Sequence, residues 1–266
     1  TPVVSFYETL DQDLWFLAGN AGGTSWNEPF PVRLEFRDQL SMKTIGGVPT
    51  ALAVSSAWQG QEYVAVFRAS NALGDAWSAP ILVFTNRAFS FDLSDVADVG
   101  GQPAFAITQT YQSGSNSLTY RRATNATATG WTAPTVIQFT TNYVDLDEPC
   151  VAEIAGRPAI SFTRGSMNDD LYYARALDST GLAWNVPVLV SASNGSANQV
   201  GLQNVLIEAG GLPFIVYVAQ SGTPPITASK GLDADGSSWL SIWLPLYAGS
   251  SPKALVTGGK VSVASL

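Results

Sequence analysis

Three aspartates recur at one place in the sequence. Asp38, Asp92 and Asp147 each stand eight residues before the first position of a glycine-centred turn, at Gly46-Gly47, Gly100-Gly101 and Ala155-Gly156. Two later copies carry Leu202 and Ser250 instead. Equivalent positions of a repeat converge when the repeats close into a ring, so the three carboxylates are expected at one channel mouth, with Glu148 beside Asp147. Oxygen ligands suit a hard cation, which makes Asp38, Asp92 and Asp147 a candidate Ca2+ site. Grouped carboxyls also bond sugar hydroxyls, and glycoside hydrolysis needs two of them about 5–5.5 Å or 6.5–9.5 Å apart. An aspartate at a strand start has a plainer use as well, bonding the N–H groups of its own turn.

A second set of residues suits sugar recognition. Trp58 and Gln59, Tyr111 and Gln112, and Asn168 fall in loops between apolar runs, and Phe91 and Tyr143 fall in loops expected on the same face. Aromatic rings offer apolar stacking and amides offer directional hydrogen bonds, the combination a glycan site requires. The chain has no histidine, which removes Ser-His-Asp and Cys-His catalysis and histidine-ligated zinc. Cys150, the single cysteine, cannot form an internal disulfide and sits in an apolar run, where a thiol packs as a small hydrophobe.

Bulk properties narrow the partners. The net charge is −8, which argues against nucleic acid, since binding there needs Lys and Arg to displace counterions. Charged residues are 13% of the chain, about half of the ~25% usual in soluble domains. No apolar stretch approaches the ~18 residues of a membrane span. The chain opens at Thr1-Pro2 without a signal-like segment, which fits either a mature end or a domain of a longer protein.

The elements that must position these residues are repeats. Each unit holds a short apolar run, a glycine turn, and a second apolar run opened by proline, as at Gly46-Gly47-Val48-Pro49 and Gly210-Gly211-Leu212-Pro213. An Asn or Asp then precedes Gly by three residues and Trp by six: Asn20, Gly23, Trp26; Asn71, Gly74, Trp77; Asp178, Gly181, Trp184; Asp233, Gly236, Trp239. A third copy keeps Asn125 and Trp131 but has its glycine at 130. Short β-branched and aromatic runs bounded by such turns are strands. Each unit therefore reads as strands a, b, c and d, exemplified by Cys150–Ile154, Ala159–Phe162, Leu171–Ala176 and Trp184–Val190. Four antiparallel strands per repeat make a propeller blade. The expected fold is a single all-β domain over residues 1–266, a five-bladed β-propeller with units 1–39, 40–86, 87–140, 141–193 and 194–251. Residues 252–266 would close the ring, with Ala254–Thr257 pairing Val3–Phe6 and Val261–Leu266 left over. The five tryptophans are expected in matching, largely buried places.

The stretch 156–188, Gly-Arg-Pro-Ala-Ile-Ser-Phe through Asp-Leu-Tyr-Tyr-Ala-Arg-Ala to Trp-Asn-Val-Pro-Val, resembles repeats of bacterial secreted and surface β-propellers. The Asp178, Gly181, Trp184 turn is similar to the Asp-box of sialidase-like and lectin propellers, with one residue more between Asp and Trp. The resemblance implies a secreted or cell-surface location. Asp boxes are folding turns and propellers host unrelated activities, so function is read from the loops. They suggest a non-catalytic module binding a glycan or a surface protein, lectin-like or adhesive. One alternative is a glycoside hydrolase working through Asp38, Asp92, Asp147 and Glu148; another is a protein-interaction scaffold. Repetition of the acids at equivalent positions speaks against catalysis, as does the placement of Arg68, Arg121 and Arg175 on equivalent c strands rather than in a cluster.

Overall fold

The computed structural model describes residues 3–8, 13–20, 23–32, 38–58, 61–86, 90–166, 168–193, 199–220, 226–244 and 251–265. Among them every regular element is a strand. β1 (Val3–Glu8), β2 (Asp13–Ala18) and β3 (Phe30–Val32) form a three-stranded sheet; β4 (Asp38–Ile45), β5 (Val48–Trp58), β6 (Gln61–Arg68) and β7 (Ile81–Asn86) form a four-stranded one in chain order. In the next repeat, β8 (Ser90–Leu93) and β9 (Ala97–Val99) both pair with β10 (Gln102–Thr110), followed by β11 (Asn116–Arg122) and β12 (Thr135–Thr140). Two further four-stranded sheets come next: β13 (Asp145–Ile154), β14 (Arg157–Gly165), β15 (Asp170–Arg175) and β16 (Val188–Ser191); then β17 (Val200–Ala209), β18 (Leu212–Ala219), β19 (Ile226–Gly231) and β20 (Trp239–Trp243). A hairpin of β21 (Pro252–Thr257) and β22 (Lys260–Ser265) ends the chain.

Two compact units emerge. One comprises Thr1–Arg87, Asp95–Pro103 and Ala123–Thr132, the other Ala88–Ser94, Ala104–Arg122 and Ala133–Leu266. In the first, Ala51, Ala53, Ala65 and Phe67 form a buried cluster with Met42 and Trp77 against it. In the second, Ile154, Leu171, Tyr173, Leu206, Ile215 and Tyr217 join two successive sheets. Cys150 packs against that cluster outside any disulfide, its sulfur accepting the Leu206 N–H at 3.3 Å.

The turns explain why this sequence makes strands here. The a–b hairpins swing on two residues with φ > 0, 56° and 78° at Gly46-Gly47 and 46° and 74° at Ala155-Gly156. Such a turn has the twist that antiparallel strands need. The c–d turns are built by their Asn or Asp: Asp178 accepts the N–H groups of Thr180, Gly181 and Ala183 at 2.8, 2.9 and 3.0 Å. Partial burial opposes its ionisation, yet these bonds and that from the Thr180 hydroxyl hold its carboxyl down to about 2. In three copies the Trp closes the turn by donating to a carbonyl three residues back, Trp77 to Gly74, Trp131 to Ala128 and Trp184 to Gly181, whereas the Trp239 indole N–H is buried without an acceptor. The third copy is thus regular in spacing: Ala128, not Gly130, takes the left-handed conformation (φ 57°).

Several expectations are corrected. Strand a of the fourth repeat starts at Asp145, well before Cys150, and strand d starts at Val188, Trp184 making only an isolated bridge to Ala176. Four of the repeat tryptophans are half-buried and Trp26 is exposed, because each sits at the edge of its sheet. Trp184 and Trp239 pack edge-on against the fully buried Tyr120 and Tyr173 of the preceding repeat, with centroids 5.1 and 5.2 Å apart. At the C-terminus β21 pairs with β22, residue for residue from Pro252↔Ser265 to Thr257↔Lys260, and not with Val3–Phe6. A tight turn at Gly258-Gly259 closes a far shorter loop than pairing across the whole chain would. The leftover strand has its place there: Val261 and Val263, with Ala254, cover Phe214, Val216, Ile226 and Ala228.

Candidate functional site: an acidic cluster

Register confirms that the recurring aspartates are equivalent. Asp38 faces Val54, Asp92 faces Thr108, Asp147 faces Thr163, and Leu202 faces Val218. In β4, β13 and β17 the pairing slips just past this position; in β13 and β17 the bulged residues, Glu148 and Gln203, are left-handed (φ 53° and 49°). A bulge re-aims the groups around it, and here it aims backbone N–H groups at the preceding repeat. The Glu148 N–H donates to the Asp92 carboxylate, and the Gln203 N–H to that of Glu148. The Asp92 and Glu148 carboxyls therefore serve not their own turns but strands more than fifty residues away.

The bulge is held from behind by Asn204, which is 8% exposed. Its amide donates to Glu148 O at 2.7 Å and Gly201 O at 3.1 Å, and its oxygen accepts from the Ser161 hydroxyl. Gly201 lets β17 approach this closely: a Cβ at its φ of 91° would lie 2.9 Å from Leu171 and 3.0 Å from Thr163. Thr163 in turn donates to Asp147 O at 3.2 Å.

Five acids meet in the second unit. Burial first, then the negative charges of Asp92, Asp145, Asp169 and Glu148, push the Asp147 carboxyl up to about 7. Burial raises Glu148 too, with Asp92 adding to it. Asp92 is raised by burial against the stabilising Glu148 N–H. Asp169 is raised by burial and Asp145, but a 2.7 Å bond from Gln199 Nε2 favours its ionised form. Among the described residues, the charges that raise Asp147, Glu148 and Asp169 are those of neighbouring carboxyls. Carboxyls so coupled share protons, and Asp147 is the member that keeps its proton up to about pH 7. Acid and base roles separate in the same way wherever environments push two carboxyls apart.

The other residues singled out in the sequence take several places. Tyr111, Gln112 and Tyr143 come together at the β10–β11 turn, where Tyr111 N–H donates to Ser115 O and Tyr143 N–H to Gly114 O, both at 2.9 Å. Phe91 lies on β8 beside Asp92, opposite Gln109. Asn168 is half-buried next to Asp169. Trp58 ends β5 with its side chain outside the described residues; Gln59 and the Asp38 side chain also lie outside them. Among the described residues no three acids are arranged to hold a metal ion. The arginine equivalent to Arg68 and Arg175 is Arg122, not Arg121: the three face Thr50, Ala159 and Ala104. Arg68 and Arg175 are buried props, donating to Ile45 O and to Ile154 O and Ala155 O.

Asp145, Gln199 and Asn204 join the site although the sequence does not single them out. Asp145 carried a signal, since residues two apart on a strand share a face and Asp147 is two away. Gln199 and Asn204 carried none, because only the next repeat's packing brings them in.

No protein-family model matches the sequence, and neither does any curated protein. Solved structures do. A Penicillium chrysogenum α-L-arabinanase complexed with arabinobiose matches with a TM-score of 0.68 at 12% identity, over 99% of this chain and 89% of its own. A polysaccharide lyase acting as an ulvan lyase gives 0.65 at 11%, over 95% and 70%. A Hadza microbial sialidase gives 0.54 at 14%, over 86% and 52%. At these identities the likeness is one of fold, and it is to β-propellers. It also corrects the expectation of a non-catalytic glycan-binding or adhesive module: these folds belong to carbohydrate-cleaving enzymes, the class set aside as the alternative. The argument from repetition fails on the geometry, because the equivalent Asp92 and Asp147 do not merely cap turns here but lie half-buried close enough for the charge of one to raise the other.

Proposed function

We propose that this protein is a carbohydrate-processing enzyme, a glycoside hydrolase working through the acidic cluster. The observation that carries this reading is Asp147, whose carboxyl is held up near 7 among Asp92, Asp145, Glu148 and Asp169. Such a group is protonated in time to act as general acid and ionised in time to be reset. Asp147 donates its proton to the glycosidic oxygen as the bond to the anomeric carbon breaks. Asp169, whose ionised form the Gln199 amide favours, either takes the proton from the water that replaces the leaving group or attacks the anomeric carbon itself. The fold likeness to an arabinanase makes arabinan and arabino-oligosaccharides the first substrates to try.

The test is release of reducing ends from a panel of polysaccharides, arabinan included, by the wild type and by Asp147→Asn. The expected result is turnover whose alkaline limb falls near pH 7, and a loss of about 10²–10⁴-fold in kcat in the variant, the range a general acid supplies. Undiminished turnover in the variant, or no release from any polysaccharide, would overturn the reading.

A further inference from the structure

Tyr143 is an exposed ring that the backbone is strained to present. Asn142 and Tyr143 are consecutive non-glycine residues in the left-handed region, at φ 60° and 57°. Asparagine tolerates that region but a tyrosine is disfavoured there, and strain of this kind persists only where the surroundings enforce it. Three bonds enforce it here. The Thr140 hydroxyl donates to Val144 O at 2.5 Å, the buried Asn116 amide donates to the same oxygen at 3.0 Å, and Tyr143 N–H donates to Gly114 O at 2.9 Å.

The result is a ring laid on glycine. A Cβ on Gly114 would stand 2.6 Å from Tyr143 Cε1 and 2.7 Å from Cζ, so only the missing side chain admits the ring. One face of the ring rests there, yet the residue is 72% exposed. No apolar side chain covers an outer face this open. Two residues along the chain is Asp145, a member of the acidic cluster, and Asn116 lies 3.5 Å from its Oδ1 while bonding Val144. The platform and the acids are thus anchored by one amide.

A sugar ring has the chemistry to use both: an apolar C–H face for the tyrosine and hydroxyls for carboxylates. Charge then narrows the sugar. Among the described residues, the charges that raise Asp147, Glu148 and Asp169 are those of neighbouring carboxyls, so a uronate or sialate placed beside them meets like charge. We propose that Tyr143 on Gly114 is the stacking platform that positions a neutral glycan, rather than an acidic one, at the cluster. This rests on the carbohydrate-processing reading and names its substrate class.

Binding and turnover separate the two claims. Binding of neutral trisaccharides (arabinotriose, xylotriose, maltotriose) and of a uronate trisaccharide is measured by calorimetry on Asp147→Asn, with Tyr143 intact, Tyr143→Ala or Tyr143→Phe. At least one neutral trisaccharide should bind at least tenfold more tightly than the uronate. Tyr143→Ala should weaken it about tenfold and Tyr143→Phe should restore it. Gly114→Ala, which pushes the ring off its seat, should weaken it too, with melting curves showing that each variant stays folded. In the Asp147 background that turns over, Tyr143→Ala should raise KM about tenfold and lower kcat by less. Unchanged affinity in Tyr143→Ala, tighter binding of the uronate, or no binding of any trisaccharide overturns the platform and leaves the catalytic reading standing if turnover persists. Tyr143-dependent binding without turnover does the reverse.

Discussion

Replacing Asp147 by asparagine should make the folded protein more stable at pH 8 while disabling it. A carboxyl held at about 7 instead of the ~3.9 of an unfolded chain keeps its proton longer in the native state. Between those two values the folded protein binds a proton that the unfolded chain has lost, so stability falls as pH rises. At about 1.4 kcal/mol per pH unit the full difference approaches 4 kcal/mol, and solvent screening of a half-buried carboxyl reduces this to about 2 kcal/mol. Asp92, Glu148 and Asp169 are shifted the same way and add to the slope. Asparagine has nearly the same shape and no charge, so it removes the repulsion and relieves the neighbours that Asp147 repels. Urea unfolding of wild type and Asp147→Asn at pH 5 and pH 8 measures it. The wild type should lose about 2 kcal/mol or more between the two, and the variant markedly less. A wild type equally stable at both, or a variant with the wild-type slope, would refute the electrostatic argument.

The scaffold gives two further expected outcomes. Arg175→Met should cost about 2–4 kcal/mol in chemical denaturation, because it leaves the Ile154 and Ala155 carbonyls without their donor and Asp235 without its 2.7 Å ion pair. Ala155→Gly should raise stability by roughly 0.5–1 kcal/mol, since Ala155 is exposed at φ 46° where the other a–b turns carry glycine; a lowered melting temperature would count against the turn assignment.

The repeat, its turns and its strands were legible in the sequence because each is a local matter. Gly46-Gly47 and Asp178 through Trp184 write their conformations within a few residues, through φ > 0 and side-chain-to-backbone bonds. Even the equivalence of Asp38, Asp92 and Asp147 was readable, since register in a hairpin counts outward from its turn. What that equivalence meant was not readable. A capping aspartate and one drawn into an acidic cluster look alike in sequence, and the difference lies in Glu148 and Gln203 turning left-handed so that their N–H groups reach the preceding repeat. Burial and the charges of Asp92, Asp145 and Asp169 then decide where Asp147 titrates. Likewise the β-propensity of 261–265 predicted a strand but not its partner, which the nearest turn supplied at the lowest entropy cost. Local geometry was set by neighbours in the chain; the environment of the acidic cluster was set by packing between repeats, which brings Asp92, Glu148 and Gln203 together across more than fifty residues at each step.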